Sequence, residues 1–300
     1  MAVTPYKIYV ISSGRGRGEF PPAIACACRS GYNDAAGHAD HQRQAWDNRR
    51  MSVQTGTKRK EGGFAETVRV VIHALIIALV IRTFLFQPFN IPSGSMIPTL
   101  LVGDYLFVSK YSYGYTHYSL PLSPPLFSGR ILASPPSRGD VVVFRLPKDP
   151  TIDYIKRVIG LPGDNIQVQH SVVYINGQPV KRERVTEGCV AHEDVGQPVM
   201  CFRETLPNGV SYITHDFTTD GFLDNTEVFP VPPDHYFMMG DNRDNSTDSR
   251  VLSAVGYVPF ENLIGRAQVI FFSIGGGTPA WEIWNWPLEV RWSRMFKLVR

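Results

Sequence analysis

Three hundred residues, 43% hydrophobic and 19% charged, suffice for one large core or two modest ones and exclude a disordered tail or a coiled coil. The formal charge of +3 is unevenly held: residues 1–60 carry ten Lys/Arg against four Asp/Glu, leaving twenty against twenty-three for the rest. A basic front on a slightly acidic body fits a membrane-anchored chain, and it argues against nucleic-acid binding, which needs a fold that is itself basic.

Residues 1–63 read as a cytoplasmic N-terminal segment with no folded domain. Residues 1–50 show no helical or strand period and lack the apolar core of a secretory leader. Cys26, Cys28, His38 and His41 are metal-type ligands, but C-x-C and H-x-x-H miss the usual zinc spacings, so no metal site is expected. From Met51, MSVQTGTKRKEGGFAETV forms a short basic leader directly before an apolar run, which makes Met51 the expected start of the natural protein.

That run, VRVVIHALIIALVIRTFLF (68–86), sits in an expected transmembrane helix over residues 64–86. Nineteen residues at 1.5 Å each reach about 28 Å, close to the thickness of a hydrocarbon core. Arg69 and Arg82 lie where their stems can snorkel, Lys58-Arg59-Lys60 precedes the span, and Phe84, Phe86 and Phe89 follow as interfacial aromatics. By the positive-inside rule the N-terminus is cytoplasmic and everything after Phe86 is exported.

Beyond the span, short β-type runs alternate with turn signals: 105–108, 141–146, 154–159, 166–168, 172–175, 236–239 and 267–272. The expected fold is mainly β, an all-β core over residues 87–182 and 231–275 interrupted by a smaller β insertion at 183–230. Asn176-Gly177 between apolar runs is the strongest hairpin signal. Cys189 and Cys201 fall in the insertion and are expected to pair in an oxidising compartment. Residues 276–300 are Trp-rich, suiting either a membrane-interface contact or a last core element.

Three segments carry chemistry. Gln87 to Leu100 contains Ile91-Pro92-Ser93-Gly94-Ser95-Met96, a Pro/Gly-fixed turn able to hold a serine hydroxyl outward and aim a backbone N–H at a developing oxyanion; a juxtamembrane linker is the plain alternative. The histidines His117, His170, His192, His215 and His235 are scattered through loop-like stretches, and none stands out in a polar motif with an acid. Lys156, in the strand-like DYIKRVIG, is the other candidate base, with Tyr154 and Val158 on its face. An ordinary lysine is neutral in about one molecule in 2,500 at pH 7, so burial must lower its pKa by roughly three units; otherwise it is a surface lysine. The third segment, GDNRDNSTDSR (240–250), fails as a calcium loop, with Arg243 third, Ser246 sixth and Leu252 twelfth from Asp241. It reads as a polar network or as a solvated loop.

In order and spacing, IPSGSMIPTL (91–100), RGDVVVF (138–144), DYIKRVIGLPGD (153–164), GDNRDNSTDSR (240–250) and GYVPFENLIGRAQVIFFS (256–273) resemble the bacterial type I signal peptidases over roughly residues 64–275. The resemblance implies a Ser/Lys dyad with Ser95 as nucleophile and Lys156 as general base. By motif position, Ser93 and the Ser95 N–H would form the oxyanion hole, Ser246 would orient Lys156, Asp248 would pair with Arg250, and Met96 would flank the nucleophile. Phe89, Asn90 and Ile91 would face Asp153, Tyr154 and Ile155 across an extended substrate, an exported preprotein cut after an Ala-x-Ala-type site. No metal or cofactor is implied. The implied setting is a bacterial inner membrane with the catalytic domain outside the cytoplasm, touching the bilayer and, by extension, the translocation machinery. A Ser/Lys peptidase dedicated to one substrate class, such as a pilin, and a non-catalytic peptide-binding scaffold are the other readings.

Overall fold

The computed structural model describes residues 63–120, 122–186, 189, 199–275, 284 and 286–300. The expectations for residues 1–62, Met51 as start among them, lie outside the described residues.

Helix α1 (Phe64–Val80) continues as a π-helical turn over Ile81–Leu85, so 22 residues, including an 18-residue stretch of mean hydropathy 2.2, form a helix long and apolar enough to cross a membrane. Their length, about 33 Å, matches a hydrocarbon core. No residue of α1 is buried, and Val70, Val71, Leu75, Ile76 and Ile77 present apolar surface on all sides. A helix apolar all round must be covered by protein or by lipid. Among the described residues the β domain does not cover it, which suits a membrane-spanning helix.

The strands follow in chain order: β1 (Phe86–Asn90), β2 (Asp104–Ser109), β3 (Val141–Leu146), β4 (Asp149–Gly160), β5 (Asn165–Gln169), β6 (Val172–Ile175), β7 (Gln178–Pro179), β8 (Lys181–Val185), β9 (Met200–Thr205), β10 (Ser211–Asp216), β11 (Phe229–Pro230), β12 (His235–Met239), β13 (Val258–Pro259) and β14 (Leu263–Ser273). Seven form one antiparallel sheet in the order β1-β2-β14-β3-β4-β12-β13. The fold is mainly β, as expected. Val141 to Phe144 is apolar without interruption because both faces of β3 are covered. Val141 and Val143 pack with Ile91, Met96, Leu106 and Ile270, while Val142 and Phe144 pack with Tyr236, Met238 and Leu263 on the other side.

Two smaller sheets, β11-β5-β6-β7 and β10-β9-β8, close around a third apolar cluster that includes Ile159, Ile166, Ile175, Leu206 and Phe237. Their strands begin at Asn165, so residues 165–182, assigned by sequence to the core, belong to these smaller sheets, and the boundary at 183 falls inside β8. Asn176 and Gly177 turn the β6–β7 hairpin with φ of 53° and 79°, the left-handed values that a two-residue turn demands. Cys189 and Cys201 are joined by a disulfide, with their Cα atoms 5.6 Å apart.

The C-terminal segment packs in part on the main sheet. Val290 and Val299 are buried, Trp286 packs on Phe272, and Arg294 pairs with the buried Asp104 at 2.5 Å. Trp284, Leu288, Trp292 and Phe296 remain exposed.

Candidate active site

Where β1 ends, the chain is pinned before it turns. Ile91 is buried and donates its N–H to Asp104 O at 2.9 Å. Ser93 is extended, and Gly94–Met96 form one 3-10 turn whose Met96 is buried in the main core beside Leu100. Anchored by Met96, the turn presents Ser95 at its centre. The Ser95 N–H lies in the first turn, where position alone denies it an intrahelical acceptor. A second clamp comes from across the fold: Asn242 donates its N–H to Ser95 O at 3.1 Å and its Nδ2 to Gly94 O at 3.0 Å.

Lys156 approaches from β4. Alternation puts it on the face of Tyr154 and Val158, and it is only 3% exposed. Its Nζ donates to Ser95 Oγ at 2.6 Å and to Ile155 O at 3.1 Å. Burial lowers its pKa to about 8; the carboxylates of Asp248 and Asp241 pull it upward, and Arg250 lowers it further. At pH 7 about one molecule in ten then carries the neutral amine, against one in thousands for an ordinary lysine.

Asp248 and Arg250 pair as expected by motif, with Nε to Oδ1 and Nη2 to Oδ2 both at 2.9 Å. Burial alone would raise the Asp248 pKa, but the Arg250 guanidinium and the N–H of Gly240 hold it below the usual range. Ser246 is buried in the same loop. Its hydroxyl makes no hydrogen bond of good geometry among the described residues, although it lies near enough to Asp248 to help hold that carboxyl down. The expected contact between Ser246 and Lys156 is not formed; the ammonium is turned to Ser95 and Ile155 O. Gly240 explains how closely these parts approach: a Cβ there would lie 2.2 Å from Ser246 Oγ and 2.5 Å from Ser95 O.

Ser95 and Lys156 sit in a cleft of about 550 Å³ lined by Phe89, Asn90, Ile91, Ser93, Asp153, Tyr154 and Ile155, with Val143 in its floor. β1 is an edge strand, paired only with β2. The β4 segment from Asp149 to Ile155 has an open side as well, because β12 meets β4 only from Arg157 to Gly160. Two strand edges therefore face one cleft.

A buried polar network escaped the sequence reading. Arg157, fully buried, grips Asp241 through Nε–Oδ1 at 2.8 Å and Nη2–Oδ2 at 2.6 Å, and Thr99 Oγ1 donates to the same carboxylate at 2.5 Å. Arg243 pairs with Glu204 of β9 at 2.7 and 2.5 Å, and Tyr212 of β10 donates to Glu204 at 3.0 Å. These bonds tie the 241–243 segment, and hence Asn242, both to β4 and to the smaller sheets. One signal was available: Arg157 adjoins Lys156 in an apolar strand, and an arginine buried there must find a carboxylate.

The family model for signal peptidase, peptidase S26, matches residues 64–272. Signal peptidase I of Rickettsia conorii is 43% identical over 268 residues, covering 84% of this chain and 96% of that protein. Signal peptidase I of Rickettsia typhi is 47% identical over 240 residues, covering 74% of this chain and 89% of that protein. A solved signal peptidase I from Enterococcus faecalis aligns at 24% identity with 44% of this chain and 97% of its own, at a TM-score of 0.27, too low to bear on the fold. The match to the family model takes in the membrane helix, the Ser95 turn, the Lys156 strand and the 240–250 loop together, and the chain belongs to the signal peptidase family, peptidase S26.

Proposed function

We propose that this protein is a membrane-bound serine endopeptidase that removes signal peptides from exported preproteins through an acyl-enzyme on Ser95. The observation that carries the reading is the 2.6 Å hydrogen bond between the buried Lys156 Nζ and Ser95 Oγ at the wall of an open cleft. Neutral Lys156 takes the hydroxyl proton as Oγ attacks the scissile carbonyl. The oxyanion that forms is received by the Ser95 N–H and the Ser93 hydroxyl. Lys156 then passes the proton to the departing amine, and the same lysine deprotonates the water that hydrolyses the ester. Ser246 and the Asp248–Arg250 pair support the lysine, Ser246 acting once its hydroxyl turns to Nζ.

The open edges of β1 and β4 suit an extended peptide that adds as a strand between them, held by main-chain hydrogen bonds. Phe89, Ile91 and Ile155 pack down onto the core, which leaves shallow pockets and favours small side chains, consistent with cleavage after Ala-x-Ala. The basic residues ahead of the helix support an N-terminus in the cytoplasm and a β domain outside it, and with them the reading of a bacterial inner-membrane enzyme acting where preproteins leave the translocation machinery. A disulfide in the domain agrees with an oxidising compartment.

The test is cleavage of a detergent-solubilised preprotein carrying an Ala-x-Ala site by wild type, Ser95→Ala and Lys156→Ala, with product masses measured. Wild type should cut after the second alanine, and each variant should lose at least a thousandfold in kcat, as removal of a nucleophile or its base does in other serine peptidases. Equal cleavage by Ser95→Ala would reject the mechanism.

A further inference from the structure

A second pocket, of about 310 Å³, lies where the helix passes into the β domain, and three cations line it: Arg82, Lys110 and Arg145. Its position is set by the backbone. Arg82 belongs to the last helical turn, Lys110 donates its N–H to Leu85 O at 3.0 Å, and Tyr115 OH donates to Phe84 O at 2.8 Å. If the helix spans a bilayer, this pocket opens at the headgroup layer.

The charges in it are under-compensated. Lys110 is 3% exposed, yet its ammonium, with three donors, reaches one acceptor, Ser119 O at 2.7 Å. Arg145 meets Asp153 at 3.1 Å, but its buried Nε has no hydrogen-bond partner among the described residues. Among those residues no carboxylate pairs with Arg82 or with Lys110, so one acid serves three cations. Burial, then the like charges of Arg82 and Arg145, bring Lys110 down to about pKa 8, as expected of cations facing one space. Holding such charges together without an anion is costly, and phosphate oxygens would accept the spare donors. Leu122, 101% exposed, stands at the pocket's rim, and Leu126 and Leu132 nearby in sequence are exposed as well.

We propose that this pocket is a headgroup site for an anionic phospholipid, whose phosphate is taken by Arg82, Lys110 and Arg145 and whose acyl chains pass Leu122 into the bilayer. The site adjoins the substrate cleft through Pro150 and Thr151 of β4, next to Ile152 and Asp153 of the cleft itself. A bound lipid would therefore fix the membrane end of that cleft. The inference rests on the membrane reading of the helix and not on the peptidase chemistry.

The experiment uses the full chain in phosphatidylcholine nanodiscs containing spin-labelled phosphatidylglycerol or spin-labelled phosphatidylcholine, and reads the immobilised lipid fraction without reference to cleavage. Wild type should hold phosphatidylglycerol selectively. Arg82→Gln and Lys110→Gln should each lower that selectivity about fivefold, the worth of one cation at a charged lipid surface, while Arg82→Lys keeps it. Arg82 is exposed, so its variants read the site even where loss of the buried Lys110 disturbs folding. Equal immobilisation of the two lipids, or selectivity unchanged in Arg82→Gln, would overturn the proposal. Displacement of the lipid by glycerol phosphate would assign the pocket to a soluble phosphate, and displacement by an acidic peptide would assign it to substrate; either result also overturns it.

Discussion

Burial of Lys156, the proposed general base, comes at a cost to the fold. Because burial lowers its pKa to about 8, kcat/KM should fall tenfold per unit of pH below that value and level off above it. A pH–rate profile in detergent checks this, and a rate independent of pH between 6 and 9 would contradict it. The same shift has a sign in stability. The folded pKa lies below the unfolded value of about 10.5, so the unfolded chain binds the extra proton between the two. Stability is then full above about pH 10.5 and is lost as pH falls to about 8, at a cost near ~3 kcal/mol. Lys156→Met should therefore be inactive yet more stable than wild type at pH 7 by up to that amount, measured by urea unfolding. A Met variant less stable than wild type would mean that the Ser95 hydrogen bond outweighs desolvation.

Among the elements, the 240–250 loop does most to build the site. Asn242 holds the Ser95 turn, Asp248 and Arg250 face Lys156, and Gly240 lets both approach. Gly240→Ala should abolish cleavage while circular dichroism stays unchanged, since its methyl collides with Ser246 Oγ and Ser95 O; an active alanine variant would show that the loop relaxes freely. How well elements could be read from sequence followed their environment. β3 and β6 were legible to the residue, being apolar runs bounded by turns. β4 begins five residues earlier than its pattern suggested, because Asp149 to Asp153 carries Pro150 and two acids and has one side unpaired. β1 was hidden by Pro88, which an edge strand tolerates. β14 was cut short by Gly265, whose missing Cβ would lie 2.3 Å from Ser109 O. In the site, Ser95 and Lys156 were each ambiguous alone, and it was the resemblance of the whole motif set to a known family that singled them out. The Arg157–Asp241 and Arg243–Glu204 pairs were illegible because their partners lie 84 and 39 residues apart.

Across the whole molecule, one tether sets the reaction's place. Nine residues lie between Leu85, where the helix ends, and Ser95, a reach of at most about 35 Å if fully extended, so the proposed nucleophile would stay near the surface of a membrane crossed by the helix. There, in the proposed reaction, the open edges of β1 and β4 would receive the preprotein as an added strand. The proposed reaction is covalent: acyl transfer through Ser95. It is tested most directly by mixing the enzyme with a slowly deacylating ester of an Ala-x-Ala peptide, quenching in acid, and locating the adduct by mass spectrometry after digestion. The acyl mass should appear on the peptide that contains Ser95 and be absent in Ser95→Ala. Turnover of the ester with no adduct at Ser95, or with the acyl group on another residue, would contradict it.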